Sequence, residues 1–163
     1  MNSIKRQFRI KSITNQDKAW IRQFMCQEWH AELIVAHKKI YYPDQLDGFI
    51  AWMEARRVGL ITCQIRDTAC EIVTLNSLVP AIGIGTALIE SVKTVAGHNH
   101  CSRIWLITTN DNLSAPRFYQ KRGFRPVRIY HDSVKYARQI KSIPEIGENG
   151  IPIRDELELE LKI

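Results

Sequence analysis

Apolar and polar positions along the chain predict its elements in order. Phe8, Ile10 and Ile13 open a first strand. Asp17 starts a helix whose apolar stripe, Ala19, Trp20, Ile21, Phe24 and Met25, runs to about Trp29. Residues 30–42 show no clear period, and Pro43-Asp44 breaks the chain before the next element. Residues 49–53 and 59–65 predict two strands joined through a charged turn at 54–57. Residues 71–79 predict a strand closed by Pro80, and 86–96 a helix with Leu88, Val92 and Val95 on one face, ended by Gly97. A short apolar run at 104–108 reads as a buried strand. Helix to Arg122 with Pro116 in its first turn, strand 124–130, helix 132–141 and loop 143–153 follow. The tail, residues 156–161, alternates Glu and Leu strictly, which predicts a strand with leucines inward and glutamates toward water. Strands and helices in this order, with no internal repeat, predict a mixed α/β sheet.

Composition narrows the class. At 163 residues the chain fits one domain spanning 1–163, and 45% hydrophobic with 25% charged residues excludes wholesale disorder. No window approaches the roughly 18 apolar residues of a membrane span. The first residues carry Lys5, Arg6, Arg9 and Lys11 without the apolar run of a secretory signal, so a cytoplasmic protein is expected. Cys26, Cys63, Cys70 and Cys101 form no metal-ligand pattern, and no metal is expected. A Cys63–Cys70 pair across two strands is conceivable, but buried thiols are the commoner reading. The net charge is +6, with basic residues gathered from Arg117 to Lys141 and acidic ones at the C-terminus. Such an excess suits an anionic partner, either a phosphorylated cofactor or nucleic acid, and equally a solvated face.

The turn Ala81-Ile82-Gly83-Ile84-Gly85 between strand and helix is a candidate anion site. Glycines there let backbone N–H groups close on a phosphate at the positive end of a helix. It is no P-loop, since Thr86-Ala87 follows Gly85 where Lys-Ser/Thr would be needed, and it lacks the third glycine and distal acid of a dinucleotide fingerprint. Residues 79–88, Val-Pro-Ala-Ile-Gly-Ile-Gly-Thr-Ala-Leu, do resemble the acetyl-CoA loop of the GCN5-related N-acetyltransferase (GNAT) family, Gln/Arg-x-x-Gly-x-Gly/Ala. A second match lies downstream: Asn112-Leu113-Ser114-Ala115, then Phe118-Tyr119 and Gly123-Phe124, resembles the family's Asn-x-x-Ala…Tyr…Gly-Phe segment. Pro80 departs from the family's Gln/Arg position.

The resemblance implies a largely antiparallel central sheet flanked by helices and direct attack of an amine on the thioester of acetyl-CoA, the acyl donor. It implies cofactor contacts from Leu78, Val79, Ala81, Gly83, Ile84, Gly85, Thr86 and Asn112, the first two as backbone beside the pantetheine arm. Tyr119 matches the tyrosine that protonates the leaving thiolate, against a reading as a packed aromatic at a helix–sheet seam. Glu71 matches the base position of some members, with a water chain as competitor. Asn112 is open between cofactor contact and helix capping, with Asn110 competing for the same role. Trp29, Trp52 and Trp105 read as core, Trp52 also as a candidate for the acceptor pocket. The acceptor amine is not named by the sequence, and a homodimer is compatible with it. The alternative function is a module that binds acyl-CoA or nucleic acid without turnover, which Pro80 and the basic excess favour slightly and Tyr119 disfavours.

Overall fold

The computed structural model describes residues 8–163, so Lys5 and Arg6 of the basic N-terminal segment lie outside the described residues. Strand β1 (Arg9–Ser12) pairs antiparallel with β4 (Asp47–Met53). β4 turns into β5 (Arg56–Arg66) through Glu54-Ala55, and β5 into β6 (Ala69–Ser77) through Asp67-Thr68. Glu54 and Asp67 take positive φ, 54° and 52°, in these two-residue turns, whose twist matches that of the strands. With β7 (Arg103–Thr109), β8 (Arg125–Tyr130) and β9 (Glu156–Lys162), the seven-stranded sheet runs β1-β4-β5-β6-β7-β9-β8. Only β6 and β7 are parallel, because helix α2 (Ile84–His98) carries the chain back across the sheet between them. The architecture is therefore the mixed, mostly antiparallel sheet flanked by helices that was expected.

Two cores lie on opposite faces. On one, Leu88, Ile89 and Val92 of α2 pack on Ile61, Ile72, Ile104 and Leu159, joined by helix α3 (Ser114–Gln120) through Tyr119. Gly59 lets α2 approach the sheet: a Cβ there would stand 2.7 Å from the Ile84 Cγ2 methyl. On the other face, Ile21, Phe24 and Met25 of helix α1 (Lys18–Trp29) pack on Ile50 and Leu60. Tyr41 joins them from a small hairpin of β2 (Ile34–Ala36) and β3 (Lys39–Tyr41), in the stretch where the sequence shows no period. Its turn is His37-Lys38, both at positive φ, without the glycine or asparagine that announces such turns.

The tail corrects one expectation. β9 does turn Leu157, Leu159 and Leu161 into the core, but Glu156 and Glu158 are only 4% and 7% exposed instead of facing water. The sheet face they occupy carries its own partners. The His37 N–H donates to Glu156, and Arg103 Nη1 donates to Glu158 at 2.9 Å and to Glu160 at 3.1 Å. These hydrogen bonds offset the loss of water that burial imposes on the carboxylates. The helix expected over 132–141 is the shorter α4 (Val134–Arg138). All four cysteines are free; Cys63 opposes Ile72 and Cys70 opposes Ile65. Among the described residues no helix is long and apolar enough to cross a membrane, and no group of three or more His, Cys, Asp or Glu forms a metal site.

Candidate active site

β6 and β7 hydrogen-bond only over residues 69–72 and 103–106, although β6 continues to Ser77 and β7 to Thr109. Beyond Ile72 the strands part, and the gap becomes a cavity of about 690 Å³. Residues 72–75 of β6 form one wall and 106–108 of β7 the other; the starts of α2 and α3 close one side. Trp29 lines the cavity as well, with its indole N–H donating to Asn76 Oδ1 at 3.0 Å, so it is a wall residue and not only core. Because Val73 and Trp29 pack with the α1-side core and Tyr119 with the α2-side core, the gap reaches both faces of the sheet.

The glycine turn forms one end of this cavity, with Val79, Pro80, Ala81, Gly83, Ile84, Gly85 and Thr86 on its lining. Ala81 and Gly83 both take positive φ, 63° and 89°, the backbone conformation from which anion-binding concavities of successive amides are built. The first-turn N–H groups of Ile84, Gly85 and Thr86 have no acceptor within α2, and the helix dipole adds positive potential there. The glycines serve different ends. Nothing lies within 4 Å of a Cβ at Gly83, which is needed for its φ, whereas a Cβ at Gly85 would stand 2.9 Å from Phe118 Cζ.

Pro80 supplies no donor, but Arg122 does. Its guanidinium donates to Thr86 Oγ1 from Nη2 at 2.6 Å and to the Phe118 carbonyl from Nη1 at 2.6 Å, and lies 3.5 Å over the Phe118 ring. The sequence marked the basic stretch without singling out Arg122; its position one turn after Phe118 was the available signal.

Tyr119 lines the cavity with its ring held edge-on between Phe118 and Phe124, centroids 5.3 and 5.2 Å away. Burial raises its phenol pKa, so the hydroxyl remains a proton donor at neutral pH, and it has no hydrogen-bond partner among the described residues. Asn112 does two things at once. Its Oδ1 accepts from the Ala115 N–H at 3.1 Å and Ser114 Oγ at 3.0 Å, bracing the start of α3, while its amide nitrogen bonds nothing among the described residues and the residue lines the cavity. Asn110 is elsewhere, tying β7 to the approach to β9 through Arg154 and Asp155 N–H groups. Leu78 is not on the lining, and its N–H is taken by the Val58 carbonyl at 2.9 Å.

Glu71 lies one residue before the wall. It is buried, its carboxylate accepts the Tyr41 hydroxyl at 2.6 Å, and burial raises its pKa despite that bond and the nearby Lys39. Trp52 is not on the lining; its ring is stacked with Arg57 at 4.4 Å and Lys11 at 5.5 Å.

A splayed strand pair with an anion-binding turn at one end suits an elongated phosphorylated ligand. The model of the acetyltransferase (GNAT) family matches residues 18–124. The Bacillus subtilis (strain 168) protein YdhI is 44% identical over 142 residues, covering 86% of this chain and 89% of that protein. Among solved structures, the IAA acetyltransferase from Bacillus cereus ATCC 14579 superposes with TM-score 0.74 at 21% identity, over 96% of this chain and 100% of that one. A GNAT family acetyltransferase from Elizabethkingia anophelis with acetyl-CoA bound gives 0.68 at 19% identity, over 96% and 98%. With a family model spanning most of its length and a relative this similar, the chain belongs to the GNAT acetyltransferase family.

Proposed function

We propose that this chain is an N-acetyltransferase, a single domain that moves the acetyl group of acetyl-CoA to an amine by direct attack on the thioester. The observation that carries the reading is the cavity between β6 and β7, with the glycine turn and the first turn of α2 at its 81–86 end and a protonated Tyr119 on its wall. The turn and Arg122 would hold the pyrophosphate, and the unpaired side of β6 beyond Ile72 would lie beside the pantetheine arm like an added strand. The acetyl-CoA bound to the E. anophelis protein supports this assignment of donor. An amine that has lost its proton attacks the thioester carbonyl, the C–S bond breaks, and Tyr119 donates its proton to the departing sulfur. Glu71 takes the ammonium proton through water, since it stands just behind the wall. Holding both reactants side by side supplies much of the remaining acceleration. The test is release of coenzyme A thiol across an amine panel: amine-dependent release supports the reading, and tight acetyl-CoA binding with no turnover of any amine contradicts it.

Two further results are expected. Glu71→Gln lowers turnover roughly 10–100-fold at neutral pH and leaves acetyl-CoA affinity nearly unchanged. Its effect on stability has the opposite sign. A folded-state carboxyl pKa raised above the unfolded value gives stability that is full at low pH and is lost as pH rises through the folded value. Removing that charge should therefore raise the melting temperature at pH 7–8 while activity falls. An unaltered pH–rate profile would exclude Glu71 as the base.

Arg122→Gln removes the guanidinium that spans Thr86 and Phe118 and should weaken acetyl-CoA binding about 10-fold, ~1.4 kcal/mol, with the dependence on salt also reduced. Calorimetry at two ionic strengths checks both; unchanged affinity would exclude Arg122 from the phosphate site.

A further inference from the structure

A second cavity, of about 400 Å³, opens on the sheet face that carries the β2–β3 hairpin. Trp105 of β7 lies within it with two cations over its ring, Lys39 at 5.7 Å and Arg103 at 5.1 Å from the centroid. Arg128 of β8 stands 5.7 Å from the ring of Tyr130 on the same wall. This cavity adjoins the first. Ile107, which lines the splay, is two residues along β7 from Trp105 and therefore on the same face. Its partner on β9 is Glu158, which lines the second cavity, and neighbouring strands are only ~4.8 Å apart.

The charges in this cavity are unequally satisfied. Glu158 spends one oxygen on Arg103 and the other on the Tyr130 hydroxyl, and Glu160 accepts the same Arg103 nitrogen at 3.1 Å. Glu156, beside them on β9, is occupied by the His37 N–H. Lys39 and Arg128, by contrast, reach no carboxylate at ion-pair distance among the described residues. The lining carries three cations, Lys39, Arg103 and Arg128, against two carboxylates, Glu158 and Glu160, and the two cations outside the Arg103 ion pairs are Lys39 and Arg128, the latter opposite Glu158 in the strand register. A cation resting over an aromatic face is held in position while its outer side stays open to a second partner.

We propose that the second cavity receives the acceptor, and that the acceptor is an amine carrying an anionic group, a carboxylate or a phosphate, which Lys39 and Arg128 bind while the amino nitrogen lies at the splay. This rests on the acetyl-transfer reading and adds the substrate class to it. Charge-assisted hydrogen bonds to the anion supply affinity and orientation together.

The test is equilibrium binding of matched probes by calorimetry, without acetyl-CoA: benzylamine against 4-(aminomethyl)benzoate, and ethanolamine against phosphoethanolamine. In at least one pair the anionic member should bind about tenfold tighter, ~1.4 kcal/mol, and the pair that shows it tells carboxylate from phosphate. The preference should shrink to within about twofold in the Lys39→Gln, Arg128→Gln double variant and invert toward the cation in Lys39→Glu, with melting measured on each preparation. Equal or weaker binding of both anionic probes, or a preference that survives in the double variant, overturns the inference. Turnover with acetyl-CoA separates the two levels. Neutral amines acetylated as fast as anionic ones overturn the substrate class alone. Selective binding of an anionic probe with no acetylation of any amine overturns the acetyl-transfer reading and the acceptor role with it.

Discussion

Gly85→Val is expected to weaken acetyl-CoA binding about 100-fold, ~2.7 kcal/mol, while the protein still folds. Gly85 sits in the first turn of α2 at an ordinary helical φ, so the backbone tolerates a side chain and helix propensity does not fall. The cost is steric. Its Cβ would stand 2.9 Å from Phe118 Cζ and 3.3 Å from Cε2, and the two methyls of valine reach further. The Phe118 ring must swing aside, yet it is itself cavity wall and lies 3.5 Å beneath the Arg122 guanidinium. Its displacement therefore narrows the cavity and disturbs the cation beside the turn together. Gly85→Ala, which asks only for a small ring shift, should lie between wild type and the valine variant. Equal affinity in all three by calorimetry would remove the turn from the donor site.

Tyr119→Phe should lower turnover roughly 10–100-fold with little change in acetyl-CoA affinity, the mark of an interaction made mainly in the transition state. Coenzyme A thiolate is a moderately good leaving group, so proton donation helps without being indispensable. Because the Tyr119 hydroxyl bonds no described residue and its ring is fixed by Phe118 and Phe124, phenylalanine keeps the packing and breaks no protein hydrogen bond. The melting temperature should hold, since the hydroxyl makes no protein hydrogen bond and the residue lines the cavity. A structural tyrosine predicts the reverse, a lower melting temperature and a rate near wild type. Turnover within about twofold of wild type, only ~0.4 kcal/mol in barrier, would assign the proton to another donor.

What the sequence made legible was local. The 81–86 turn and the segment from Asn112 to Phe124 could be read because each is a short contiguous device whose residue types follow from its backbone: positive φ at Gly83, close approach at Gly85, a brace at Asn112. The helix between them was legible from its period and the strand from its short apolar run. What escaped depends on residues far apart in the chain. Glu158 is under cover where Arg103, 55 residues away, reaches it with its guanidinium, and alternation along β9 alone cannot tell a solvated face from one with such a partner. Trp29 lines the cavity because Asn76, 47 residues on, holds its indole. The β2–β3 hairpin escaped because His37 and Lys38 make its turn without the usual residues. The departure at Pro80 was visible, but the cation that stands at the turn, Arg122, was one of several in a basic stretch until the fold brought it to Thr86.

Central to this account is that an acetyl group passes from acetyl-CoA to an amine nitrogen between β6 and β7. The most direct measurement follows an isotopically labelled acetyl group through the reaction, with free thiol and acetylated amine quantified in the same mixture. The account predicts one amide formed per thiol released, both depending on added amine and both slowed together in Tyr119→Phe. Thiol released at the same rate with or without amine, and no label on any amine although acetyl-CoA binds tightly, would contradict it.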